Sequence, residues 1–139
     1  MTTKRTVISS LLLAWASLSA VAGNHSEDNA LSIDKAITQD IHFQFPNDNN
    51  IYPDTSDFEV VNYVTMSNEQ GARRVTVTLT NNSSGNRIFV SKQVMALFAN
   101  GDRLSPVEKK VTFKGKETQT ITLNFGTHHY PILSVYTRQ

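Results

Sequence analysis

The chain has no cysteine among its 139 residues. Structural disulfides, thiolate metal centres, cysteine nucleophiles and the usual lipoprotein anchor all need a sulfur atom, so all are excluded. Tryptophan is almost as scarce, with Trp15 the single example. Neither G-x-S-x-G nor H-E-x-x-H occurs, so no motif for hydrolysis is present and the chain is expected to be non-enzymatic. A sustained apolar run of membrane-spanning length is also missing. The longest apolar stretch, Val7 to Leu18, falls well below the roughly 20 residues that a spanning helix needs.

That short stretch has a different meaning. Lys4 and Arg5 precede it, and Ala20-Val21-Ala22 follows with the small-x-small pattern of a signal-peptidase site. Residues 1–22 therefore read as a cleaved signal peptide, and the mature chain is expected to be periplasmic or secreted and not membrane-spanning. A cysteine-free exported domain fits a bacterial envelope better than an animal secretome. Removing the leader leaves 117 residues, enough for one domain with its own core.

Charge is balanced in total, with 13 Lys and Arg against 12 Asp and Glu, but it is unevenly distributed. Between Gly23 and Glu69 nine acids face Lys35 alone; beyond Glu69 ten bases face Asp102, Glu108 and Glu117. The halves are expected to neutralise each other within one fold. The basic half also offers a surface for an envelope polyanion, through Arg73, Arg74, Lys109, Lys110, Lys114 and Lys116. Nucleic acid is not expected as a partner, because no aromatic residues interleave with these bases to stack on nucleotides.

From Phe58 onward the pattern is strand after strand. Val75, Val77 and Leu79 alternate with Thr76, Thr78 and Thr80, and Ile121, Leu123 and Phe125 alternate with Thr120, Thr122 and Asn124. Period two with one apolar side marks a strand half buried in a core. Asn100-Gly101 marks a hairpin, since both residues tolerate positive φ. Ile41, Phe43 and Phe45 alternate likewise and predict a further strand, ahead of a loop over 46–57. The expected architecture is all-β: a single immunoglobulin-like antiparallel β-sandwich of seven to nine short strands over 41–139, preceded by an acidic arm over 23–40.

Two resemblances follow from these residues. Val75 to Ser83, taken with Val111 to Leu123, resembles bacterial immunoglobulin-like modules, in which a strand ending in Asn and a small polar residue meets a turn and a Gly-centred hairpin leads into a late strand. It is also loosely similar to periplasmic pilus chaperones, although those carry two domains. Leu31, Ile33 and Ile37, with Gly126 and Tyr136 near the C-terminus, resemble the layout of chaperone–usher pilus subunits. The latter resemblance implies self-association by donor-strand addition, in which one chain's extension completes its neighbour's open sandwich. The Cys pair usual in those subunits is absent here, and Pro131 interrupts the terminal strand.

Cleavage after Ala22 also creates a metal-binding terminus. The mature chain then begins Gly23-Asn24-His25, whose amine, two amides and imidazole make the square of nitrogens that Cu(II) and Ni(II) favour. Because binding displaces amide protons, affinity is expected to rise with pH. Titration of Cu(II) into mature protein is expected to give a square-planar visible band at one equivalent, absent in His25→Ala.

Overall fold

The computed structural model describes residues 30–34, 42–46 and 51–139. The signal-peptide, cleavage-site and copper-site expectations lie outside these residues. The described fold is mostly β, in antiparallel sheets. Its strands are β1 (Ser32–Ile33), β2 (Phe58–Ser67), β3 (Ala72–Asn81), β4 (Arg87–Val90), β5 (Val94–Phe98), β6 (Arg103–Leu104), β7 (Lys110–Phe113), β8 (Thr118–Thr127) and β9 (Ile132–Thr137).

One layer is a four-stranded sheet in the order β1-β2-β3-β8. Facing it lie a two-stranded sheet, β4-β7, and a three-stranded sheet, β6-β5-β9. These two are one layer broken across its middle. The strand that runs from β4 into β5 is interrupted by a 3-10 turn at Ser91–Gln93, and its neighbour is interrupted between β6 and β7. Buried Ser91 holds the break together: its hydroxyl accepts from Lys109 N at 2.5 Å, and its N–H donates to Lys109 O at 3.2 Å.

β3 shows why the chain folds this way. Every second side chain from Arg73 to Asn81 is buried, and the intervening threonines face outward. Val75, Val77 and Leu79 are fully buried, as are Phe58, Phe89, Phe98 and Phe113, which arrive from both layers. Phe58 meets Phe89 and Phe113 edge-on, with ring centroids at 5.5 and 5.0 Å, the geometry that aromatic quadrupoles favour. On the outer face Thr76, Thr78 and Thr80 bond hydroxyl to hydroxyl with Thr122, Thr120 and Thr118 at 3.1, 2.9 and 2.7 Å. Each such cross-strand pair contributes roughly 0.2–1 kcal/mol.

The buried amide of Asn81 closes one end of the core. Its Nδ2 donates to Gly85 O and Lys114 O, and its Oδ1 accepts from Ser83 N. The two turns it joins approach so closely that a Cβ on Gly115 would sit 1.9 Å from Ser84 O. No side chain fits there.

The expected strand at Ile41–Phe45 is corrected by the structure. The described part, residues 42–45, forms no strand. All five residues of β5 are buried, so its outward Leu97 needs a cover that a one-sided strand would not. The segment provides it: Phe43 lines a hollow with Leu97 and Tyr136, and Phe45 packs on Gly101, near 3.1 Å from where a Cβ would lie. The alternating phenylalanines are therefore a lid on a sheet and belong to no ladder.

The register of β3 is directly testable. Val77→Asp puts an unpaired charge into the core and is expected to destabilise by several kcal/mol, about 3 or more. Thr78→Asp, one residue along and outward, is expected to cost less than half as much. Urea unfolding of the two variants measures the difference, and equal losses would refute the register.

Candidate functional site

β2, whose outer side pairs only with the two-residue β1 among the described residues, approaches β9, an edge strand of the other layer. On one side β2 pairs with β3 along its whole length, from Phe58 to Ser67. On its other side, among the described residues, it is bonded only near its end: Ser67 and Met66 pair with Ser32 and Ile33, and Thr65 O accepts from Asp34 N at 2.9 Å. β9 pairs with β5 on one side. Just past its end Arg138 bridges Thr55, with Ser56 N donating to Arg138 O at 2.9 Å.

Between these edges runs a groove of about 480 Å³, lined by residues 59–63 of β2 and by Ser134 to Thr137 and Gln139. Its floor is the core: Val135 is buried, and Val60 and Tyr63 pack against the core cluster. A β-bulge between Val60 and Asn62 turns Val61 outward, leaving it 51% exposed. Bulges at a sheet edge interrupt pairing and re-aim side chains, and this one lies within the groove. Two fixed polar groups flank it. Glu59 Oε2 accepts from Asn82 Nδ2 at 2.9 Å, and Tyr136 Oη accepts from Arg103 Nη1 at 2.9 Å. Such a groove has the means to bind an extended chain: backbone edges for hydrogen bonds and a core floor for apolar side chains.

The sequence-predicted basic set is not assembled in one place. Arg73 is buried, with Nε donating to His128 O at 3.0 Å and Nη2 to His129 O at 3.2 Å; it braces a turn and faces away from solvent. Arg74, next along β3, lies on the outer face of the sheet beside Asn124. Lys114 and Lys116 flank the turn at the other end of β3, where Lys116 Nζ donates to Asn82 O. Lys109 and Lys110 lie where β7 begins and are exposed. Of the predicted neutralisation between halves, the described residues include the pair of Arg87 Nε with Asp57 Oδ2 at 2.6 Å. No group of three or more potential metal ligands occurs among the described residues.

One connection was missed in the sequence. His128 Nδ1 accepts from Tyr130 N at 3.1 Å, which leaves Nε2 to donate to Asp102 Oδ2 at 3.1 Å. The ring lies 4.1 Å from Phe98, centroid to centroid. The Asn100-Gly101 turn is thereby fastened to the β8–β9 turn, which Arg73 braces from within. An N-G turn followed by Asp was visible in the sequence, but its partner 26 residues away was not. Comparison of the chain with family models, curated proteins and solved structures finds no match.

Asp102 is held below the usual carboxylate range, first by the Asn100 side-chain amide and then by His128. A carboxylate lowered by folding stabilises the fold above its unfolded pKa of about 4, and the effect is lost as pH falls through the lower folded value. Asp102→Asn is therefore expected to flatten the acid limb of the stability–pH profile below about pH 4, read by urea unfolding.

Proposed function

We propose that this chain is an exported, non-enzymatic assembly module of the bacterial envelope. On this reading it is an immunoglobulin-like sandwich that takes an extended strand from another copy between β2 and β9. The observation that carries the proposal is the pair of facing strand edges flanking a groove with a core floor.

Topology supports it. In a seven-strand immunoglobulin-like sandwich, the last strand pairs beside the sixth and closes the gap to the first. Here β2, β3, the β4–β5 pair, the β6–β7 pair, β8 and β9 correspond in order to six strands, and β9 takes the sixth place. A strand paired with the free edge of β9 beside β2 would supply the seventh, and its entry requires β2 and β9 to part where they now approach. Main-chain hydrogen bonds would give such a complex its affinity, and alternate side chains entering the floor its specificity.

The proposed donor is the arm of a neighbouring copy, Leu31 to Ile37. Leu31, Ile33 and Ile37 fall on one face of an extended strand, with the cation Lys35 between the last two. In the chain's own fold the backbone of Ser32 and Ile33 pairs with the end of β2 while the side chains stay open, with Ile33 73% exposed and Leu31 37%, so donation exchanges this two-residue pairing for a longer one. Each copy would give an arm at one end and receive one at the other, a heterologous contact that propagates into a filament when it does not close. The leader at residues 1–22 supports the exported location.

Sedimentation velocity of the mature chain is expected to show concentration-dependent self-association, and deletion of residues 31–37 is expected to give monomers. Those monomers are expected to bind a synthetic peptide of residues 29–43 at one per chain. Ile33→Asp in the peptide is expected to weaken binding at least tenfold, about 1.4 kcal/mol. A full mature chain that stays monomeric at high concentration, with a deletion variant that ignores the peptide, would overturn the proposal.

A further inference from the structure

The broken layer brings three lysines together on a face that shares no residue with the groove. Lys92 belongs to the 3-10 turn, and Lys109 and Lys110 lead into β7. All three line one hollow, whose walls include Val90 and the buried Pro106. The clamp on Ser91 explains the convergence: it fixes the Lys109 backbone against the 3-10 turn, while the register sets Lys110 opposite Val90. Three ammonium groups are thus presented from a rigid backbone.

The balance of charge and apolar surface around them is specific. The lining holds one acid, Glu108, whose side chain is 85% exposed and whose carboxylate is 3.9 Å from Lys110 Nζ. An ion pair that open to water contributes little and leaves the face positive. Ile88 lies two residues before Val90, on the same outward side of β4, and is 60% exposed. Val107, in the loop that carries Lys109, is 57% exposed. Aliphatic side chains amid lysines are poorly served by water. They suit the boundary where acyl chains meet phosphate headgroups, with lysine stems along apolar surface and ammonium groups at the phosphates.

We infer that the β4–β7 face docks on an anionic lipid surface, with Lys92, Lys109 and Lys110 on headgroup phosphates and Ile88 at the acyl boundary. Sequence reading placed Lys109 and Lys110 in a polyanion-binding set; the fold adds Lys92 and the apolar neighbours, and separates this face from Arg73, buried in the other sheet. The inference does not depend on the strand groove.

Vesicle co-sedimentation tests it, using the mature chain and the variant lacking residues 31–37, so that assembly and lipid binding are read apart. Both proteins are expected to bind vesicles of phosphatidylglycerol and phosphatidylcholine in equal parts, and to ignore pure phosphatidylcholine. Each lysine near an anionic surface strengthens binding by about fivefold, so Lys92→Gln with Lys109→Gln and Lys110→Gln is expected to cost on the order of 100-fold. Ile88→Ser is expected to weaken binding a few-fold without changing its salt dependence, and Arg74→Gln, in the other sheet, to leave it within about twofold. Circular dichroism confirms that each variant is folded. Equal binding to neutral vesicles, or an unaffected triple variant, would overturn the inference. Release from vesicles by millimolar inorganic phosphate at constant ionic strength would identify a free-anion site and overturn it equally.

Discussion

The inward row of β3 is the constraint on which the rest of the molecule depends. Five alternate residues, Arg73, Val75, Val77, Leu79 and Asn81, are buried on one side of one strand. The three apolar members set the depth of the core and the register of both neighbouring strands, because a slip of one residue would exchange them for threonines. The two polar members fix the ends. Arg73 holds the turn that leads into β9, and Asn81 holds the turns around Ser84 and Gly115. A buried guanidinium or amide is costly unless fully bonded, and both are bonded to backbone carbonyls that no other group in the row could reach.

With β3 so fixed, irregular pairing falls on the strands around it. The second layer breaks at Ser91 and the loop before Lys109, where the backbone can turn because Ser91 satisfies the interrupted ladder. The first layer bulges at Val61, on the strand that borders the groove. These departures from regular pairing coincide with the two surfaces that are not explained by internal packing. Within the regular part of β3 and β8, by contrast, the threonine pairs leave the outer face chemically uniform.

What could be read from the residues alone was what depends on near neighbours. The period of Val75 to Thr80 and of Ile121 to Phe125 marked two long strands with the correct inner faces, and Asn100-Gly101 marked a turn where Gly101 adopts a φ of 92°. Misreading began where the same period served another purpose. Phe43 and Phe45 alternate because they cover the outside of β5, a role set by a strand 50 residues later and invisible within the segment itself. Arg73 and Arg74 looked equivalent in the sequence, yet strand geometry sends one into the core and the other to the surface. An open sandwich was implied by resemblance, but the walls of the groove could not be placed, since they come from strands at opposite ends of the domain. Lys92 joined Lys109 and Lys110 through the clamp on Ser91, a contact between residues 18 apart.

The threonine pairs that bind β3 to β8 also set the tempo of folding. β2 and β3 adjoin in sequence and can meet quickly as a hairpin, but the nearest threonine pair across the next ladder spans 38 residues and the farthest 46. The chain between β3 and β8 carries the shorter-range pairs of β5 with β6 and β4 with β7, so the β3–β8 ladder is expected to close after these have shortened the loop. Until it does, the far edge of β3 stands open, with three rows of unmatched hydroxyls and a bare backbone. Until β8 docks, that open edge is the surface through which the chain is most exposed to wrong partners.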